Sequence, residues 1–163
     1  MAYVPKTIEE KEYLDNYDSN KYPKPCVTVD MILTYNSKIL LIQRKNFPYK
    51  GCWALPGGFL DVGKENTFEA AMREVQEETS VHLKQTQVRL FDVYSNPDRD
   101  PRDHVVSIVY VAELSKEQAE SVKANDDAAV TTWYDRYQIA MLQIDRQLAF
   151  DHSTILDDYL YFY

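Results

Sequence analysis

The sequence predicts an α/β domain with a mixed β-sheet, and three observations carry that reading. Largely apolar, β-branched runs over residues 26–35, 38–44, 87–94, 105–114 and 130–134 have the length and composition of strands. Two stretches without Gly or Pro, 66–79 and 145–161, have the composition of helices. The resulting order (strand, strand, helix, strand, strand, strand, helix) suits a mixed sheet held between helices. At 163 residues, 45% hydrophobic and 27% charged, the chain is one domain by length and apolar enough to bury a core.

Composition also excludes classes. No apolar run in the sequence approaches the roughly 18 residues that span a membrane, and the N-terminal MAYVPKTIEEKEYL has no signal-peptide core. Cys26 and Cys52 form no CxxC pair, so neither a zinc site nor a disulfide framework is expected, and a reducing cytoplasm is the expected location. A net charge of −8 argues against nucleic acid or a membrane surface as partner. The same charge repels a polyanionic substrate unless a divalent cation and nearby Arg side chains reverse the field.

In chain order, residues 1–22 are polar and form an N-terminal extension to a domain over 23–163. A short helix is expected near 7–17, with Tyr13 and Tyr17 either docked on the body or left on its surface. Pro23 and Pro25 end it. Strand 26–35 turns at Asn36-Ser37 into strand 38–44, which ends at Arg44. Loop 46–51 carries Phe47 and Tyr49. A short strand at 53–55 leads to the Pro56-Gly57-Gly58 turn, and 59–62 pair briefly before the helix. Beyond strand 87–94, SNPDRDPRDH (95–104) lacks periodicity and reads as a loop bearing Arg99 and Arg102. Strand 105–114 is the expected centre of the sheet, followed by a short helix at 116–122. Asp126 and Asp127 precede strand 130–134, Asp135-Arg136 leads into a turn, and 145–161 is the last helix. His152 shares a side of that helix with Leu148, Ile155 and Leu156 and reads as a packed core residue rather than a ligand.

The chemistry concentrates in WALPGGFLDVGKENTFEAAMREVQEETSV, residues 53–81. At about 100° per residue, Phe68, Ala71, Met72 and Val75 form the face to bury. Glu74, Glu77 and Glu78 cluster at i, i+3 and i+4 on an edge that Thr67 and Ala70 leave open, with Glu69 and Gln76 directed to solvent. Carboxylates that close repel one another unless a cation sits among them. As hard oxygen donors they suit Mg²⁺ or Mn²⁺ rather than zinc. Taken alone, EVQEE also reads as a solvated acidic face. The two glycines ahead of the helix let backbone approach a ligand and offer a carbonyl to a metal shell. Arg73 is spaced to pair with Glu65.

With Glu65, Arg73, Glu74, Val75, Glu77, Glu78 and Val81 in register, the stretch resembles the signature of the Nudix hydrolases, G-x5-E-x7-R-E-U-x-E-E-x-G-U, where U is bulky and apolar. Six residues rather than five separate Gly58 from Glu65, so Lys64 reads as an insertion. Ser80 stands where the family has a Gly of positive φ, a position where Ser costs about 1 kcal/mol more. The resemblance covers Cys26 to the C-terminus and implies the Nudix α/β/α sandwich. It also implies metal-dependent hydrolysis of a nucleoside diphosphate linked to another moiety. On that resemblance Glu74, Glu77 and Glu78 with the Gly57 carbonyl hold Mg²⁺ (or Mn²⁺), while Arg73 and Glu65 keep the carboxylates in place. The group that takes the proton from water stays open among Glu77, Glu78, Asp126 and Asp127; for the Asp pair, a turn and cap is the other reading.

The WALPGGF loop and the Arg99-Asp100-Pro101-Arg102 loop flank this signature much as they do in Nudix proteins of the ADP-ribose pyrophosphatase type. That similarity implies cleavage of ADP-ribose to AMP and ribose 5-phosphate. Arg44, Arg99 and Arg102 would then face phosphate, and Phe47 and Tyr49 the adenine. Against this stand an ordinary strand-end Arg44 and a loop held by its own Asp–Arg pairs. Two other functions remain: a nucleoside triphosphate pyrophosphohydrolase, or a non-catalytic sensor of ADP-ribose-like ligands. The chain beyond the Trp133 strand is short for an added DNA-binding module, and the full carboxylate set favours an enzyme. Tyr13, Tyr17, Tyr159, Tyr161, Phe162 and Tyr163 offer more apolar surface than a small monomer exposes, and relatives of this type are commonly dimers, so a homodimer is expected.

Overall fold

A computed structural model describes residues 3–124 and 128–162. In chain order the elements are α1 (Ile8–Asp15), β1 (Cys26–Tyr35), β2 (Lys38–Arg44), β3 (Trp53–Ala54), β4 (Gly57–Phe59), α2 (Thr67–Thr79), β5 (Val88–Tyr94), β6 (Val105–Glu113), α3 (Lys116–Ser121), β7 (Ala128–Tyr134), α4 (Arg136–Ile144) and α5 (His152–Phe162). The Thr7 side chain caps α1, which buries none of its residues. Tyr13 and Tyr17 pack on each other at 6.0 Å and stay exposed.

The sheet is mixed. β6 runs parallel to β1 from Cys26↔Val105 to Thr34↔Glu113, and the other pairings are antiparallel. Asn36 and Ser37 turn the β1–β2 hairpin with φ of 48° and 59°, the handedness a tight hairpin needs. β1 and β2 then pair only beside that turn, at Thr34↔Ile39 and Tyr35↔Lys38. Further along, β1 pairs β4 at Thr28–Asp30, and β2 pairs β3 at Ile42 and Gln43. The segment from Trp53 to Phe59 is therefore wedged into a fork between β1 and β2. A Met31 N–H to Pro56 carbonyl bond of 2.8 Å holds its middle. The fork seats the two glycines at the sheet centre.

Alternation along β1 builds the layers. Val29, Met31 and Leu33 pack with Ala70, Ala71 and Val75 of α2 on one face. Ile32 packs with Leu41, Val109 and Val111 against Ile139 and Leu142 of α4 and Ile155 and Leu156 of α5 on the other. The result is the α/β/α sandwich that the sequence resemblance implies.

Three local readings need correction. Residues 136–144, read as a turn, form α4, because Asp135 caps it in a reciprocal box with Gln138. Residues 145–151 are not helical: Arg146 and Phe150 have φ of 53° and 50°, and the segment runs beside β3, with Trp53 N–H to Gln147 O and Ala149 N–H to Trp53 O both 2.8 Å. Glu69 is exposed, as read from the sequence, and it also closes a capping box with Asn66 at the start of α2. Ala70 is fully buried, and Thr67 Oγ1 meets the Tyr110 hydroxyl at 2.8 Å, so the edge near the carboxylates is packed rather than open.

Candidate active site

α2 and the fork build the site together. Gly57 N–H donates to Glu78 Oε2 at 2.9 Å, and Glu78 is 5% exposed. A Cβ on Gly57 would lie 2.1 Å from the Val29 carbonyl oxygen, and one on Gly58 2.5 Å from Glu74 Oε1. Gly57 therefore needs glycine for its close approach to strand backbone, while at Gly58 a side chain would have to displace the Glu74 carboxylate.

Arg73 organises the acids. It forks onto Glu65 at 3.0 and 2.7 Å, and its Nη1 reaches Glu74 at 2.7 Å and Glu77 at 3.0 Å. Glu65 thus meets Arg73 despite the extra Lys64. The added residue is taken up in the turn where Gly63 has φ of 80° and Asp61 N–H donates to Glu65. Hydrogen bonds to Glu65 first, then to Glu74 and Glu77, hold the Arg73 guanidinium firmly charged. The Arg73 hydrogen bond draws the Glu65 carboxyl below the usual range. Burial pushes Glu74 the other way, above that range; Glu77 and Glu65 add to the push, and Arg73 only partly offsets it.

Beside these acids lies a cleft of about 200 Å³, walled by Thr28, Asp30, Arg44, Gly57, Gly58, Phe59, Glu74, Glu78, Arg99, Asp100, Arg102, Phe150 and His152, among others. Asp30 is buried in its floor. The Ser107 hydroxyl donates to Asp30, and His152 Nε2 lies 3.4 Å from Asp30 Oδ1. His152 Nδ1 accepts from Leu55 N–H at 2.9 Å, which places the ring proton on Nε2, facing Asp30. Burial works to raise the Asp30 carboxyl, but His152, Ser107 and Arg99 outweigh it and hold it low. His152 is 2% exposed, a packed and hydrogen-bonded residue as read from sequence, and it also lines the cleft. Among the described residues, Thr28 Oγ1 is the one buried side-chain oxygen or nitrogen without a hydrogen-bond partner.

The loop arginines behave differently from one another. Arg99 is buried and forks onto Asp151 at 2.8 and 2.6 Å, which ties the loop to the start of α5. Arg102 forks onto Asp100 at 2.9 and 2.6 Å and lies over the Phe59 and Phe150 rings at 4.8 and 5.4 Å. Burial opposes the Asp100 charge, yet the Arg102 hydrogen bonds prevail and lower its carboxyl pKa. Arg44 donates from Nε to the Pro48 carbonyl at 3.0 Å and stacks over Phe150 at 4.9 Å.

The structure thus brings Gly57, Glu74, Glu78, Arg44, Arg99 and Arg102 to one cleft, with Arg73, Glu65 and Glu77 alongside. Phe47 is 83% exposed and lies off the cleft wall, and Tyr49 packs on Phe150 at 4.9 Å at the rim of a neighbouring cavity. Asp126 and Asp127 lie outside the described residues. Phe59, Phe150 and Asp30 were not identified from sequence. Asp30 had a signal, a lone acid in the apolar run CVTVDMILTY, and Phe59 follows the glycines directly. Phe150 had none.

The sequence pattern described as NUDIX domain matches residues 24–158. The chain is 44% identical over 155 residues to an ADP-ribose pyrophosphatase of Methanocaldococcus jannaschii, covering 95% of this chain and 83% of that protein. It is 34% identical over 156 residues to the ADPR responsive transcriptional repressor NtrR of Acinetobacter baylyi, covering 90% of this chain and 58% of the repressor. The bifunctional NMN adenylyltransferase/ADP ribose pyrophosphatase of Francisella tularensis, solved with AMP and a Mn ion, matches with a TM-score of 0.74 at 32% identity, covering 93% of this chain and 44% of that one. The NUDIX domain of Shewanella oneidensis NrtR, solved with ADP ribose, matches with a TM-score of 0.74 at 29% identity, covering 91% of this chain and 94% of that one. Signature, sandwich and pattern match agree across most of its length: this chain belongs to the Nudix family.

Proposed function

We propose that the protein is a metal-dependent pyrophosphatase that cleaves ADP-ribose to AMP and ribose 5-phosphate. The observation that carries this reading is the convergence of Glu74 and Glu78 on the Gly57-Gly58 loop in the same cleft as Arg44 and Arg102. The 44% identity to a protein named ADP-ribose pyrophosphatase supports the choice of substrate.

The residues present fit a hard divalent cation, Mg²⁺ or Mn²⁺. Glu74, Glu77, Glu78 and the Gly57 carbonyl are oxygen donors, and buried Glu74 gains from a neighbouring positive charge. Among the described residues no three acid, His or Cys side chains converge as a ready-made cation site. Arg73 Nη1 contacts Glu74 and Glu77, so a cation competes with that guanidinium for both. Such an ion supplies Lewis-acid neutralisation to the diphosphate and to the attacking water. The chain does the rest. Arg73, anchored on Glu65, orients the acids; Arg44 and Arg102 bind phosphate oxygens; Phe59 and Phe150 line the cleft beside the Arg102 guanidinium. Arg99, locked on Asp151, holds the loop. Tyr49 stands nearer the cleft than Phe47 for a base-stacking role, and Glu77 and Glu78 are the described candidates for taking the water proton.

The same reading takes residues 1–22 as an extension, a homodimer as the working assembly and the cytoplasm as location. Exposed Tyr13, Tyr17, Tyr161 and Phe162 support the dimer, whereas Tyr159 packs inward on Phe91 at 5.7 Å; light scattering tests it. No helix among the described residues is long and apolar enough to cross a membrane. A ligand sensor is the second reading, favoured by the likeness to NtrR. A turnover screen over nucleoside diphosphate derivatives and triphosphates with Mg²⁺ and Mn²⁺ separates the cases. Metal-dependent AMP release from ADP-ribose is expected; binding without release identifies a sensor, and preference for triphosphates overturns the substrate.

A further inference from the structure

Phe150 gathers the cleft's positive charge. Its ring lies 4.9 Å from the Arg44 guanidinium carbon and 5.4 Å from that of Arg102. Tyr49 supports it at 4.9 Å and His152 at 5.6 Å. Two like charges on one ring is an unfavourable arrangement by itself, and each has its own tether, Arg44 to the Pro48 carbonyl and Arg102 to Asp100. The ring contact itself uses no N–H donor; the tethers engage Arg44 Nε and Arg102 Nε and Nη2 and fix where each guanidinium lies over the ring.

The ring gets there through an unfavourable backbone. Phe150 has φ of 50°, in the left-handed region that bulky residues avoid. The neighbouring backbone is over-determined by Trp53 N–H to Gln147 O, Ala149 N–H to Trp53 O and His152 N–H to Ala149 O, at 2.8, 2.8 and 3.1 Å. A regular helix through this segment would carry the ring elsewhere. Strain of this kind persists where the surrounding structure enforces it, and it marks sites of function.

We propose that Phe150 is a positioning residue that presents Arg44 and Arg102 together to the two phosphates of a diphosphate ligand. The inference rests on the diphosphate reading above and does not depend on which sugar the ligand carries. It ties the connection between α4 and α5 to substrate binding through Arg44 at the end of β2 and Arg102 in the loop before β6.

The test is calorimetric binding of ADP-ribose, and in parallel of inorganic diphosphate, to the full chain in chelator, so that neither metal nor turnover enters. Phe150→Leu is expected to weaken both ligands about tenfold, as two lost cation–π contacts allow. Phe150→Tyr, which keeps the ring, recovers most of the affinity. In an Arg102→Met background Phe150→Leu costs much less than in wild type, because the ring acts through that arginine. Equal binding by Phe150→Leu and wild type, or full additivity with Arg102→Met, overturns the proposal. Should Phe150→Leu fail to fold by circular dichroism, Phe150→Tyr against Phe150→Met decides, and equal losses in both overturn it. Ring-dependent binding of diphosphate by a wild type that ignores ADP-ribose overturns the substrate and upholds Phe150. A wild type that binds neither ligand, either in chelator or with Ca²⁺ in place of Mg²⁺, overturns both.

Discussion

Glu78 joins fold to chemistry in one side chain. It sits on α2, almost fully buried, and one carboxylate oxygen takes the Gly57 N–H. Gln keeps an oxygen for that bond and removes the charge. Glu78→Gln is therefore expected to stay folded and to lose turnover. A kcat above about a tenth of wild type, a barrier change under about 1.4 kcal/mol, would sink its assignment to the metal site. Thr28 makes the opposite case. Its buried hydroxyl has no partner, which costs about 1–3 kcal/mol. Val has nearly the same shape and suits a strand. Thr28→Val should raise the melting temperature, by about 2–4 °C for each kcal/mol recovered in a domain of this size. A lower value in differential scanning calorimetry would show that the hydroxyl is satisfied by solvent.

At the scale of elements, α2 is the best-specified piece of the chain. Its composition, its Asn66–Glu69 box and its buried Ala71 and Val75 all agree. Ser80 is its one conflict: it ends the helix with φ of 61°, the conformation for which the family signature has Gly. Ser80→Gly is expected to stabilise the protein by up to about 1 kcal/mol, read as a shift in the urea midpoint with unchanged slope. An unchanged or lower midpoint would mean that the Ser side chain offsets its own strain. α4 and α5 were harder to see. Residues 145–161 lack Gly and Pro, so nothing local announced the break at Arg146 and Phe150; pairing with Trp53 imposes it.

At the scale of the molecule, a protein of net charge −8 must bind a diphosphate. The fork between β1 and β2 bears on this by bringing Arg44, Arg99 and Arg102, from distant segments, to the cleft that Glu74 and Glu78 also line. A divalent ion that binds only the folded site stabilises it, by about 2.7 kcal/mol at a hundredfold excess over Kd. The melting temperature of wild type should rise with Mg²⁺ or Mn²⁺ and rise much less in Glu74→Gln/Glu77→Gln. Equal shifts in the two proteins would place the ions elsewhere.

By itself the sequence determined the strands, α2 and the carboxylate register, because each follows from periodicity, capping chemistry or spacing within about one helical length; the positive φ at position 80 followed from the resemblance to the family signature. The sequence also named Glu65 and Arg73 as partners, since the two are eight residues apart across the start of α2 and so within reach. How each arginine is held at the cleft was decided only in three dimensions. Arg99 and Arg102 are alike in composition and three residues apart, yet one meets Asp151 from the far end of the chain and the other meets Asp100 and two phenyl rings. The same holds for Phe47 and Phe150: Phe47, about ten residues before the glycine loop, is exposed and does not line the cleft, whereas Phe150, about ninety residues beyond that loop, does. Long-range pairing sets these outcomes, and its energy belongs to no local pattern.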